Sequence, residues 1–197
     1  MADDDLEPRP ARLDRDRSDA GALPEREPWL RGPLPDVHPL LAPTLHAFTQ
    51  AGEDLALWTE GLTDAEIWLR PLDLAPVGFH LRHIAGSLDR LTAYIRGRRL
   101  TPEQLEAISH EMDPAPGRSA LLAEVNKALH NSEQVIRALD PSILGELRRV
   151  GRKQLPTTVI GLVVHLAEHT QRHVGQLIVT VKLVDRIVTG RTRPPTS

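Results

Sequence analysis

The chain has 197 residues, with 24 Lys plus Arg against 27 Asp plus Glu and a formal net charge of -3. That length holds one domain with a sizeable core, and the near-balance of charge argues against a surface built for duplex nucleic acid. Cysteine is absent, which excludes disulfides, thiolate metal ligands and a cysteine nucleophile.

Residues 1–28 mix acidic, basic and proline residues with almost no large apolar side chains. Ordering such a stretch costs more entropy than its burial returns, so a disordered arm is expected. The start, MADDDLEPRP, is acidic and lacks the basic start and apolar run of a secretory signal. No apolar stretch is long enough to cross a bilayer. A cytoplasmic protein with no membrane or nucleic-acid partner is expected. Residues 29–38, WLRGPLPDVH, read as an extended strap with Trp29 as its apolar anchor.

Helical periodicity begins after Pro39. Leu41, Leu45, Phe48, Leu55 and Trp58 line one side of a first helix ending near residue 60. Thr63 and Glu66 carry a capping-box pattern for a short turn, and Pro71 and Pro76 then interrupt the chain. A second helix is expected over residues 76–96, where Val77, Leu81, Ile84, Leu88, Leu91 and Ile95 form a stripe that Gly97 ends. Thr101 and Pro102 open a short helix as cap and first residue.

A third long helix is expected over residues 119–139, closed by Asp140 and Pro141. Residues 140–156, with Gly145 and Gly151, read as an irregular connection with short helical turns at most. The fourth segment, residues 157–188, is rich in β-branched side chains, yet its helical spacing persists too long for a strand. Gly161 and Gly175 within it are expected to permit close helix approach. The chain therefore reads as one all-α domain over residues 29–190, a four-helix bundle with an extended N-terminal arm, followed by a flexible tail over 191–197.

Nine histidines stand out beside one tyrosine and two phenylalanines. His165, His169 and His173 follow one another at four-residue intervals, roughly along one helix side. Relative to the apolar stripe, His173 is nearest, His169 next and His165 farthest, so His169 and His173 form the inward-facing pair. Such a pair places two ring nitrogens around one divalent ion, and a third ligand must come from elsewhere. The second helix offers His80 and His83, between which periodicity does not decide. His46 on the first helix is a further cavity candidate. The competing reading of each is a hydrogen-bonded boundary histidine with no ion. Glu168 does not fit a zinc-protease signature, because Leu166 and Thr170 occupy the positions after the two leading histidines. Ion pairing or solvation is its expected role, and for Asp89 and Arg90 a salt bridge that fixes the helix pair is expected rather than acid–base chemistry.

Three fragments resemble the DinB-like, or YfiT-like, superfamily of metal-dependent helical proteins. They are Trp68-Leu-Arg-Pro71, Val77-Gly-Phe-His-Leu-Arg-His-Ile-Ala-Gly-Ser-Leu-Asp-Arg-Leu91 and His169-Thr-Gln-Arg-His-Val-Gly-Gln176, and their order and separation also fit. The resemblance implies a divalent ion held by His83, His169 and His173, with His80 as a neighbouring cavity residue. It also implies kinship with low-molecular-weight-thiol transferases, a mycothiol-dependent maleylpyruvate isomerase and metal-binding domains of enzymes making sulfur-containing histidine derivatives. Relatives often dimerise through helix faces, so a homodimer is expected.

The leading expectation is a divalent-metal-dependent transferase or hydrolase acting on a small molecule, with an external thiol as cosubstrate for any thiol chemistry. Zinc or nickel is the expected ion. His80, His165 and Gln176 are candidates to orient a ligand or touch substrate. The alternative is a non-catalytic metal-binding or sensing protein whose ion stabilises the bundle, and a third reading is a purely structural helical dimer.

Overall fold

Apolar residues returning every three or four positions yield long helices whose stripes must be buried against one another. In the computed structural model these are α1 (Ala42–Thr59), α2 (Val77–Ile95), α4 (Arg118–Arg137) and α5 (Val159–Thr189), with the short α3 (Pro102–Ser109) between α2 and α4. Residues 26–190 are described. The arm expected over residues 1–28 lies outside them as far as residue 25, and the tail expected over 191–197 lies wholly outside.

The four long helices close a ring of contacts, α1 on α4, α4 on α2, α2 on α5 and α5 on α1. Leu81, Ile84 and Leu88 of α2, Leu121 and Ile136 of α4 and Leu166 and Leu177 of α5 fill the centre. The expected four-helix bundle is therefore present. Local chemistry sets its ends. Gly97 ends α2 at φ 69°, where a side chain would be strained. Thr101 and Gln104 cap α3 reciprocally, at 3.2 Å and 3.0 Å.

The connection before α5 differs from the irregular stretch expected. It is a hairpin of β1 (Leu147–Val150) and β2 (Leu155–Thr158), antiparallel, pairing Leu147 with Thr158 and Val150 with Leu155. Gly151 and Gln154 turn it with positive φ. Leu147 and Leu155 point to solvent while Arg148 and Val150 turn inward, so the burial of β1 alternates without a matching apolar pattern. The hairpin leads directly into α5. Val159 and Ile160 donate their backbone N–H to Glu146 and Leu144 carbonyls at 3.0 Å and 2.9 Å, and the Thr158 hydroxyl accepts from Gly161 N–H at 3.1 Å. These bonds satisfy donors that a helix start leaves open.

Other expectations also need correction. Trp29 does not anchor the strap: it is 62% exposed and its indole N–H donates to Glu27 at 2.8 Å. The strap instead buries Pro28, packs Leu34 and Val37 on the core, and clasps Glu53 of α1 through both terminal nitrogens of Arg31, at 2.6 Å and 2.7 Å. Neither Gly161 nor Gly175 serves a close helix approach. A Cβ on Gly161 would meet the cap hydroxyls of Thr157 and Thr158, and one on Gly175 would meet nothing within 4 Å. The glycine that does so is Gly78, where a Cβ would lie 2.7 Å from the Trp68 ring. Trp68 is held there by its N–H bond to the Pro116 carbonyl at 3.2 Å and by Arg82 over its face.

Candidate metal centre

Residues four apart on a helix share a side, so α5 turns His169 and His173 toward the α2 stripe that carries His80 and His83. The pairings run in opposite directions along the two helices. His83 Nε2 lies 3.0 Å from His169 Nε2, and His80 Nδ1 lies 3.1 Å from His173 Nδ1. The rings of His83, His169 and His173 are mutually packed, with centroids 4.4 Å to 5.1 Å apart. Each of the three offers one nitrogen, and these nitrogens all lie within 4.8 Å of one another. Phe79 stacks on His83 at 5.2 Å and meets His80 edge-on, closing one side of the cluster.

The chemistry of the donor set suits a divalent ion. Burial first, then the charge of neighbouring His83, lowers the His169 pKa to about 4 and the His173 pKa to about 3. Both rings are thus neutral near pH 7 and carry the free lone pair that coordination requires. The three rings are half-buried, so the cluster is reachable from outside. Three histidines with room for a further ligand are the donor pattern of catalytic ions, whereas closed structural sites use four protein ligands.

A comparison with protein families matches residues 47–177 to the DinB superfamily. The chain belongs to the DinB superfamily. No curated protein matches it. In this DinB-superfamily member the histidines implied by the resemblance, His83, His169 and His173, are those that converge. His80 touches His173 and is buried, with a pKa lowered to about 4 by desolvation and then by His83.

The other candidates stand farther out. His165 is half-buried with its ring 5.4 Å from that of His169, its Nδ1 is 2.9 Å from Glu168, and Arg172 also pairs with that carboxylate. Gln176 lines a cavity of about 530 Å³ beside the cluster, with Leu74, Phe79, His80 and Val179 among its walls. His46 lines a different cavity, between α1 and the strap, with Trp29 and Gln171. Among the described residues, no helix is long and apolar enough to cross a membrane.

One residue at the centre escaped the sequence reading. Glu111, between α3 and α4, is 5% exposed and has one carboxylate oxygen 2.6 Å from His83 Nδ1, while the other accepts from Arg90 at 2.8 Å. Burial alone would raise its pKa, but hydrogen bonds and charge from His83 and Arg90 outweigh burial and hold it below the ordinary carboxylate value. Of the two residues expected to serve a salt bridge, Arg90 does so with Glu111, whereas Asp89 accepts a hydrogen bond from Gln104 of α3 at 2.6 Å. Glu111 follows a short helix whose own residues are unburied, so periodicity gives it no weight. Arg90 lies across α2 from the Val77–Ile95 stripe, so no sequence signal pointed to its acidic partner.

Proposed function

We propose that this DinB-superfamily protein is a divalent-metal-dependent enzyme acting on a small molecule, with His83, His169 and His173 as the ligands and zinc or nickel as the ion. The observation that carries this reading is the convergence of three imidazoles from two helices on a half-buried point. When bound, such an ion supplies Lewis acidity that makes a water or thiol nucleophilic near neutral pH. The chain contains no cysteine, so a transferred thiol comes from a low-molecular-weight cosubstrate. Thiol transfer and hydrolysis are the reaction classes served by this donor set.

The protein's own groups divide the remaining work. Phe79 and His80 form the wall shared by the cluster and the cavity of about 530 Å³. Leu74, Phe79 and Val179 give that cavity an apolar lining, while Gln176 and Thr180 bring polar groups to it. A substrate with an apolar body and a polar reacting group fits this division, its body in the cavity and its reacting end toward the histidines. The cytoplasm is the proposed location and a homodimer the proposed assembly.

The test begins with metal. Full-length protein dialysed against zinc or nickel is expected to retain one ion per chain, with anomalous diffraction placing it among the three histidines. Loss of binding in His169→Ala and His173→Ala supports the ligand assignment. Zinc-loaded protein is then assayed with low-molecular-weight thiols and an activated aryl halide, and separately with an aryl ester. Metal-dependent turnover in either assay supports the enzyme. Stoichiometric binding with every coordination position filled by protein overturns catalysis in favour of a metal-binding or sensing role.

A further inference from the structure

His83 is the one member of the cluster whose far nitrogen meets a carboxylate. An ionised carboxylate only accepts, so the 2.6 Å contact requires the proton on His83 Nδ1. In the neutral ring the lone pair then lies on Nε2, the atom 3.0 Å from His169 Nε2. We infer that Glu111 is a positioning residue that fixes the His83 tautomer and ring orientation, presenting Nε2 to the ion. The consequence for metal affinity rests on the ligand assignment proposed above; the tautomer does not.

The surroundings of Glu111 are built to deliver it. Arg90 donates to its second oxygen at 2.8 Å and also to the Ser87 hydroxyl at 3.3 Å. Gly86 leaves the space for this pair: a Cβ there would lie 2.7 Å from an Arg90 terminal nitrogen and 3.1 Å from the Glu111 carboxylate. Arg82 donates to the backbone carbonyls of His110 and Asp113, on either side of Glu111. Two arginines of α2 thus tie down a connection that otherwise has little core of its own. The link between that connection and the cluster is a single hydrogen bond, and a carboxylate behind a ligating imidazole both orients the ring and raises its basicity.

The experiment uses full-length metal-free protein labelled with ¹⁵N at histidine, observed at pH 8 by two-bond proton–nitrogen correlation. His83 is assigned by its loss in His83→Gln. Wild type is expected to show His83 protonated at Nδ1 and bare at Nε2. Glu111→Gln, which keeps the shape, is expected to give a mixed or reversed tautomer and to lower zinc affinity by about 10- to 100-fold in a chelator competition titration. A wild-type His83 protonated at Nε2 overturns the inference, as does a Glu111→Gln protein that keeps both the tautomer and zinc affinity. Should that variant not fold, the wild-type spectrum still decides. If wild type binds no zinc, the ligand assignment fails, and the tautomer result stands separately.

Discussion

His80 Nδ1 and His173 Nδ1 face each other at 3.1 Å across the α2–α5 seam. Two ring nitrogens at that distance share one proton, donated by one and accepted by the other. His80 is buried and neutral, its pKa lowered to about 4. With His80 as acceptor, His173 keeps its Nδ1 proton and has Nε2 free. Replacing His80 by Leu removes that acceptor while preserving apolar packing. Zinc affinity is expected to fall by at least about 10-fold, with the bundle still folded. Isothermal titration with zinc alongside a circular dichroism melt checks both halves of this outcome.

The same lowered pKa values set how the metal-free protein responds to acid. His80, His169 and His173 titrate at about 4, 4 and 3 in the folded state, against 6.5 for an unperturbed ring. Well above pH 6.5 both folded and unfolded chains hold these rings neutral, and the groups place no pH slope on stability. Below it the unfolded chain takes up protons that the folded chain refuses, so stability falls as pH drops until the folded values are passed. The urea midpoint of metal-free protein is expected to decline between about pH 6.5 and pH 3. The variant His80→Leu should flatten part of that slope. A midpoint constant across this range would contradict the neutral-ring description.

Gly78 and Trp68 make a mechanical prediction. The Trp68 ring is pinned by the Pro116 carbonyl and Arg82, so it has little room to yield to a methyl group 2.7 Å away. Gly78→Ala is expected to cost about 1–3 kcal/mol through overpacking, despite the better helix propensity of alanine. Thermal melts of the two proteins measure the loss. The nearest proposed ligand, His83, lies more than a turn beyond Gly78, so metal stoichiometry should be unchanged.

These elements also show what the sequence discloses and what it conceals. The stripes of α2 and α5 are legible because a long amphipathic helix repeats its signal over many turns, and that phase alone separates His169 and His173 from His165, which is not among the converging histidines. It cannot choose between His80 and His83, since both border the stripe and both reach the cluster. The family resemblance made that choice. The hairpin before α5 is hidden because Leu147 and Leu155 face solvent and Pro156 sits within a strand. Trp29 misleads for a related reason: large apolar area signals burial on average, yet Pro28, Leu34 and Val37 are better placed to meet the core. Glu111 is invisible to any periodic reading, because its partners Arg90 and His83 come from another helix.

Gly175 offers the most direct test of the cavity. It sits in the interior of α5 and lines the cavity of about 530 Å³, and a Cβ built on it meets nothing within 4 Å. Glycine in a helix interior costs about 1 kcal/mol relative to alanine, so an absent side chain here is an expense for stability. An open pocket is the return that its position offers. Gly175→Leu supplies a good helix former with room for its first atoms, and the variant is expected to melt at or above the wild-type temperature. Its side chain would occupy the space assigned to the substrate's apolar body. For any substrate turned over by metal-loaded protein, KM is expected to rise at least tenfold while zinc affinity stays within a factor of two. Wild-type KM in Gly175→Leu would place the substrate elsewhere on the cluster's open side, and a parallel loss of zinc would show that the leucine disturbs the histidines themselves.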